Sequence, residues 1–182
     1  MPHLLSEDHT MQSRWADIGW SLAGCVAALM LTTQAAGQAQ ITESRVKALL
    51  DTLDRAARSL DTTALIAHFS DDIVITLEAP GPEGPQRFRW NKQEYAKQLD
   101  EGYEDIEDYR FERTDTSIRI APDGRTARVE TRMTETIRMR GQRIFAVTRD
   151  KAQMELRDGR LVITRLDGVI LEFEREDALD AV

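Results

Sequence analysis

Two carboxylates, Glu135 and Asp150, are singled out by local periodicity. From Val129 to Arg140 apolar or small residues alternate with charged ones, the period of two of a strand with one covered face. Taking Gly141-Gln142 as a two-residue loop pairs Arg140 with Arg143. Val129, Thr131, Met133, Glu135, Ile137 and Met139 then share a face with Met154, Ala152, Asp150, Thr148, Ala146 and Ile144. The opposite face carries Arg128, Arg132, Arg138, Arg149 and Lys151, so the first face is the one that can be covered without stranding charge. In this register Glu135 and Asp150 are diagonal neighbours, about 5–8 Å apart. A loop closing on Ala121 and Thr126 sets Glu112 opposite Glu135. The last hairpin brings Arg165 and Asp167 to the same place. Carboxylates crowded in an apolar pocket have raised pKa values and serve as acid or base. The plainer alternative is that a bulge turns some of these side chains outward, or that Arg165 neutralises them.

His68 is the only histidine after residue 9. It is a third candidate for proton transfer, with capping of a helix C-terminus as the plainer role. Trp90, Tyr95 and Tyr103 are candidates for an aromatic wall around a ligand, with Glu112 and Arg165 as its polar contacts; a stripe at helical spacing is also what core packing gives. A single His gives no basis for a transition-metal site, and no cofactor motif is found. The reading therefore assigns neither a metal nor a cofactor.

These residues need a scaffold. Val46, Leu49, Leu50, Leu53, Ala57 and Leu60 make one apolar face of a helix over 41–60, with Thr42 as N-cap. Asp61 caps a second helix carrying Leu65, Ile66 and Phe69. Residues 73–77 are a β-branched strand, and 87–90 a short return after the Pro/Gly-rich loop 79–85. Asn91 caps a third helix. From Tyr109 to Glu174 four long strands are joined by turns around Asp123-Gly124, Gly141 and Asp158-Gly159.

The 182 residues suffice for one domain with a core. A net charge of −8 argues against a broad nucleic-acid footprint. No run reaches the ~18 continuous apolar residues of a membrane span. Arg14, the apolar run 18–31 and the small residues 35–39 have the pattern of a signal peptide cut after Ala39, with Met11 as an alternative start. That predicts a periplasmic or secreted domain over 40–182. Leu22-Ala23-Gly24-Cys25 offers a competing lipobox, which would anchor the protein at Cys25.

Several stretches resemble the NTF2-like (SnoaL-like) superfamily: 67–74 its helix-to-strand junction, Trp90-Asn91-Lys92-Gln93-Glu94-Tyr95 the start of its third helix, 121–129 its Asp-Gly turn, and 157–163 its final hairpin. The resemblance implies an α+β cone, with three N-terminal helices packed on a strongly curved, mainly antiparallel sheet around a pocket. It also implies a homodimer through the outer sheet face. Fold does not give function here. The reading preferred from sequence is an exported domain that binds a small apolar or amphiphilic molecule or serves as an accessory subunit. The alternative is a cofactor-free acid/base enzyme of the isomerase, dehydratase or cyclase kind.

Overall fold

The structure is a computed structural model that describes residues 39–177. The signal-peptide, start-site and lipobox expectations lie outside them. Helix α1 (Glu43–Arg58) starts at Thr42, whose side chain accepts from the Arg45 amide. Its apolar face buries Val46, Leu49, Leu50 and Leu53. Helix α2 (Thr62–Ile66) is capped by Asp61, which accepts from the Ala64 amide at 2.9 Å. Strands β1 (Phe69–Ala79) and β2 (Gln86–Trp90) form the short pair. Helix α3 (Lys92–Tyr103) opens with a full capping box between Asn91 and Glu94. Lys92 Nζ ties it to β1 by donating to the Phe69 carbonyl at 2.9 Å. Strands β3 (Ile106–Ile120), β4 (Thr126–Met139), β5 (Gln142–Arg157) and β6 (Arg160–Asp177) form the meander.

The six strands make one sheet in the order β2-β1-β6-β5-β4-β3. It is mixed rather than simply antiparallel, because β1 runs parallel to β6. Side chains from its concave face (Ile75, Ala127, Val129, Met154, Leu156, Ile163) pack with α1 and Phe69 into the core. The Asp-Gly turn before β4 is docked beneath α1: Ile41 donates to the Gly124 carbonyl at 2.7 Å. Gly124 is at φ +65, and a Cβ there would lie 3.0 Å from Gln40.

Three departures from the expected registers decide where the candidate residues go. The β4–β5 loop is Arg140-Gly141, both at positive φ, so Met139 pairs with Gln142. Two consecutive left-handed residues match the twist of a two-residue hairpin. The slip is two places, so the shared face survives. However, Glu135 now pairs with Ala146 and Asp150 with Thr131. Their strand positions are thus offset by four residues, about 13 Å of backbone at ~3.3 Å per residue, and are not diagonal neighbours.

Strand β3 follows the expected register from Ile120 to Ser117, then carries an extra residue at Asp115-Thr116, with Asp115 at φ +49. Beyond this bulge Phe111, not Glu112, faces Glu135. Strand β6 gains an extra residue at Thr164 and another at Leu171. Leu166 and Gly168 thereby take the concave positions beside Ala152 and Asp150, and Arg165 and Asp167 turn to the convex side.

Candidate functional site

Between the concave sheet face, α1 and α3 lies a cavity of about 430 Å³, within the range of small-molecule sites. Helix α3 presents Tyr95, Leu99 and Tyr103 to it at one-face spacing. No α3 residue is fully buried, because this face looks onto open space rather than packed core. Tyr95 is backed by Trp90 (ring centroids 6.0 Å apart) and Phe69 (6.1 Å). All three tyrosines of the chain, Tyr95, Tyr103 and Tyr109, line the cavity.

Glu135 and Asp150 both open onto this space. Tyr109 Oη donates to Glu135 Oε1 at 2.5 Å. Burial holds the Glu135 carboxyl above the ordinary carboxylate range, partly offset by that hydrogen bond. Burial and the nearby Glu135 charge raise the Tyr109 hydroxyl, and burial pushes Tyr103 up to about 12. Asp150 is different in kind. No described residue makes a hydrogen bond to its carboxylate. Burial first, and then the Glu135 charge, push it up to about 7, with the Arg113 cation opposing. The room it occupies exists because its neighbour across the sheet is Gly168: a Cβ there would meet Asp150 Oδ1 at 3.0 Å and Leu77 Cδ1 at 3.1 Å.

Arg113 on the cavity wall is held from α1. Its Nε and Nη2 donate to Asp54 Oδ1 at 2.9 and 2.6 Å, with both side chains largely buried. The guanidinium also sits 5.6 Å from the Phe111 ring, which Arg58 approaches at 5.5 Å. The cavity's cation is thus neutralised by Asp54, and its remaining carboxylates face apolar and phenolic surface.

The structure brings Glu135, Asp150, Tyr95 and Tyr103 together around one cavity, and it corrects the other candidates. Glu112 is exposed on the convex face, moved there by the β3 bulge. Arg165 is also convex, after the β6 bulge, and is ion-paired with Asp167 at 2.6 Å. His68 is not on the cavity wall. Its backbone carbonyl accepts from the Ile163 amide, and burial together with the Arg160 charge lowers its pKa, the opposite of what a helix C-terminus would do. Trp90 supports Tyr95 from behind rather than lining the space. Missed from sequence were Tyr109, Phe111, Arg113 and Asp54. A signal existed for three of them: Tyr109, Phe111 and Arg113 have odd numbers while the apolar Ile118 and Ile120 are even, which a strand with one covered face permits only if it bulges between. Among the described residues no group of three or more His, Cys, Asp or Glu is placed to hold a metal ion.

Residues 3–121 match the family model described as GGDEF-like domain. The chain belongs to that family. The match stops at Ala121, ahead of the strands carrying Glu135 and Asp150, and the run Gly-Gly-Asp-Glu-Phe does not occur in the sequence. Membership in the GGDEF-like family therefore gives no reading of Glu135 and Asp150. The fold itself is NTF2-like, as solved structures show. A putative scytalone dehydratase from Novosphingobium aromaticivorans is 11% identical with TM-score 0.60, over 72% of this chain and 85% of that one. The hexachlorocyclohexane dehydrochlorinase LinA-type3 from Novosphingobium barchaimii is 14% identical with TM-score 0.58, over 73% and 88%. An NTF2-like protein of unknown function from Pseudomonas putida is 16% identical with TM-score 0.52, over 70% and 84%. No curated protein matches the chain.

Proposed function

We propose that this NTF2-like domain is an acid/base enzyme that moves a proton on a small, mostly apolar, neutral molecule. The observation that carries the reading is Asp150: a carboxylate without a hydrogen-bond partner among the described residues, facing a tyrosine-lined apolar cavity. A merely structural carboxylate would be paired, as Asp54 is with Arg113. With its pKa near 7, Asp150 is ionised enough to accept a proton and basic enough to take it from carbon.

Elsewhere on the cavity wall Glu135, whose hold on a proton is strengthened by burial, accepts from Tyr109 on Oε1, and in its protonated form it has an acid proton to donate to a ligand oxygen. The step follows from these positions. Asp150 takes a proton from a C–H bond. The electron pair moves through the conjugated substrate to an oxygen stabilised by the Glu135 proton. The same pair then returns, either to bind a proton at another carbon or to expel a leaving group. Glu135 and Asp150 enter the cavity from different strand positions, so the acidic carbon and the oxygen are separate atoms of one conjugated substrate. Two structural neighbours are a putative dehydratase and a dehydrochlorinase, both names of eliminations, which a base of this kind initiates.

The test is solvent deuterium uptake into a panel of cyclic α,β- and β,γ-unsaturated ketones, followed by proton NMR. Uptake that depends on the protein and falls about 10²–10⁴-fold in Asp150→Asn is the expected outcome. If no ketone exchanges while apolar ligands bind the parent and Asp150→Asn alike, the enzyme reading fails and the domain is a binding protein. Export to the periplasm or medium is proposed beside this reading on the pattern of residues 14–39 alone, and a mature mass beginning at Gln40 is its check.

A further inference from the structure

The convex face holds a second feature that the cavity does not use. Along the outward side of β4, arginines stand directly across from arginines: Arg128 opposite Arg119, Arg132 opposite Arg149, and Arg138 opposite Arg143. Like charges in facing positions are unfavourable. In two of these pairs a carboxylate lies near one member, Glu172 at 3.6 Å from Arg132 and Glu176 at 3.4 Å from Arg143. The Arg119–Arg128 pair has no ion pair or hydrogen bond among the described residues.

It is also the pair that lies in a hollow of about 390 Å³ spanning β3 to β6. The carboxylates of that hollow are already engaged. Asp167 holds Arg165 and accepts from Thr76 Oγ1 at 2.6 Å, and Glu130 faces Lys151 at 4.0 Å. Gln153 stands next to Arg128 in the same row and offers a neutral amide donor.

We propose that the convex-face hollow at Arg119, Arg128 and Gln153 is an anion-binding site that takes a phosphoryl group or a comparable multivalent oxyanion. Facing strand positions are about 5 Å apart, so two planar guanidinium forks can close on one tetrahedral oxyanion, each with paired N–H donors. An anion there offsets the repulsion between the two guanidinium groups. The site lies on the opposite face of the sheet from the cavity, so it is independent of the chemistry assigned to Asp150.

Calorimetric titration of the full chain with pyrophosphate at near-physiological salt tests this. The expected result is saturable binding at a single site, weakened about tenfold or more in Arg128→Gln and abolished in the Arg119→Gln/Arg128→Gln double variant. Arg138→Gln removes one convex-face charge away from the hollow and should leave binding unchanged. Absence of saturable binding to the parent overturns the proposal. So does equal weakening by Arg128→Gln and Arg138→Gln, which would show a diffuse effect of surface charge.

Discussion

At the level of single residues, Asp150 links stability to function in opposite directions. Its carboxyl titrates near 7 in the folded protein against an ordinary value of 3.8. The folded state therefore holds this proton more tightly than the unfolded chain. The associated stability is fully present below the unfolded value and is lost as pH rises through about 7. At 1.36 kcal/mol per unit the loss is on the order of 4 kcal/mol, an upper figure because the cavity admits water. The buried Glu135 carboxyl is raised too and acts in the same sense. Thermal unfolding of the parent should thus shift to lower temperature between pH 4 and pH 8. Asp150→Asn should reduce that dependence and be more stable than the parent at pH 8, while losing proton-transfer activity. A parent and variant with parallel stability curves across that range would place Asp150 in contact with bulk water and remove the basis of its assigned role.

At the level of elements, what the sequence made legible and what it hid divide at the bulges. Alternation alone assigned Glu135 and Asp150 to the covered face of β4 and β5. That survived a two-place register error, because a slip of an even number keeps every side chain on its side. Single extra residues do the opposite. Asp115-Thr116 in β3 moved Glu112 out and turned Arg113, Phe111 and Tyr109 in, and Thr164 in β6 exchanged Arg165 for Leu166. Backbone groups opened at the first bulge are partly satisfied by Thr131, whose hydroxyl donates to the Thr114 carbonyl at 3.0 Å. Asp54 was invisible for another reason: it lies at the margin of an amphipathic helix, where periodicity reads a charge as solvent-facing. The second β6 feature with consequence is Gly168. In Gly168→Ala the new methyl meets Asp150 Oδ1 and Leu77 Cδ1 at about 3 Å, and the carboxylate can swing away while Leu77 gives by tenths of an ångström. The expected stability loss is ~1–2 kcal/mol. The displaced base should cost far more in turnover, about 10²-fold for a misplacement near 1 Å. Chemical denaturation read beside kcat separates the two, and an unchanged kcat would mean that Asp150 does not need its present position.

At the level of the whole molecule, charge is unevenly placed. The chain is acidic overall at −8, yet its convex sheet face gathers Arg119, Arg128, Arg132, Arg138, Arg149 and Lys151. A homodimer formed through this face would be isologous, setting the patch against a rotated copy of itself. Where the Arg119–Arg128 pairs of the two copies meet, away from the carboxylates Glu172 and Glu176 of the same face, cation would face cation, and the repulsion would reach across about a Debye length, near 30 Å at 0.01 M ionic strength but 8 Å at 0.15 M. Association through the convex face is therefore conditional on something that screens or bridges the arginines. Sedimentation velocity of the chain should show monomer at low ionic strength, and a dimer fraction that grows with added salt and grows further with pyrophosphate at constant ionic strength. Arg119→Gln/Arg128→Gln should dimerise at lower salt than the parent and lose the response to pyrophosphate. A dimer that is strongest at low salt and dissociates as salt is added would overturn this, because it would mean that carboxylates such as Glu130, Asp167 and Glu172 meet the arginines across the interface, or that another surface forms it.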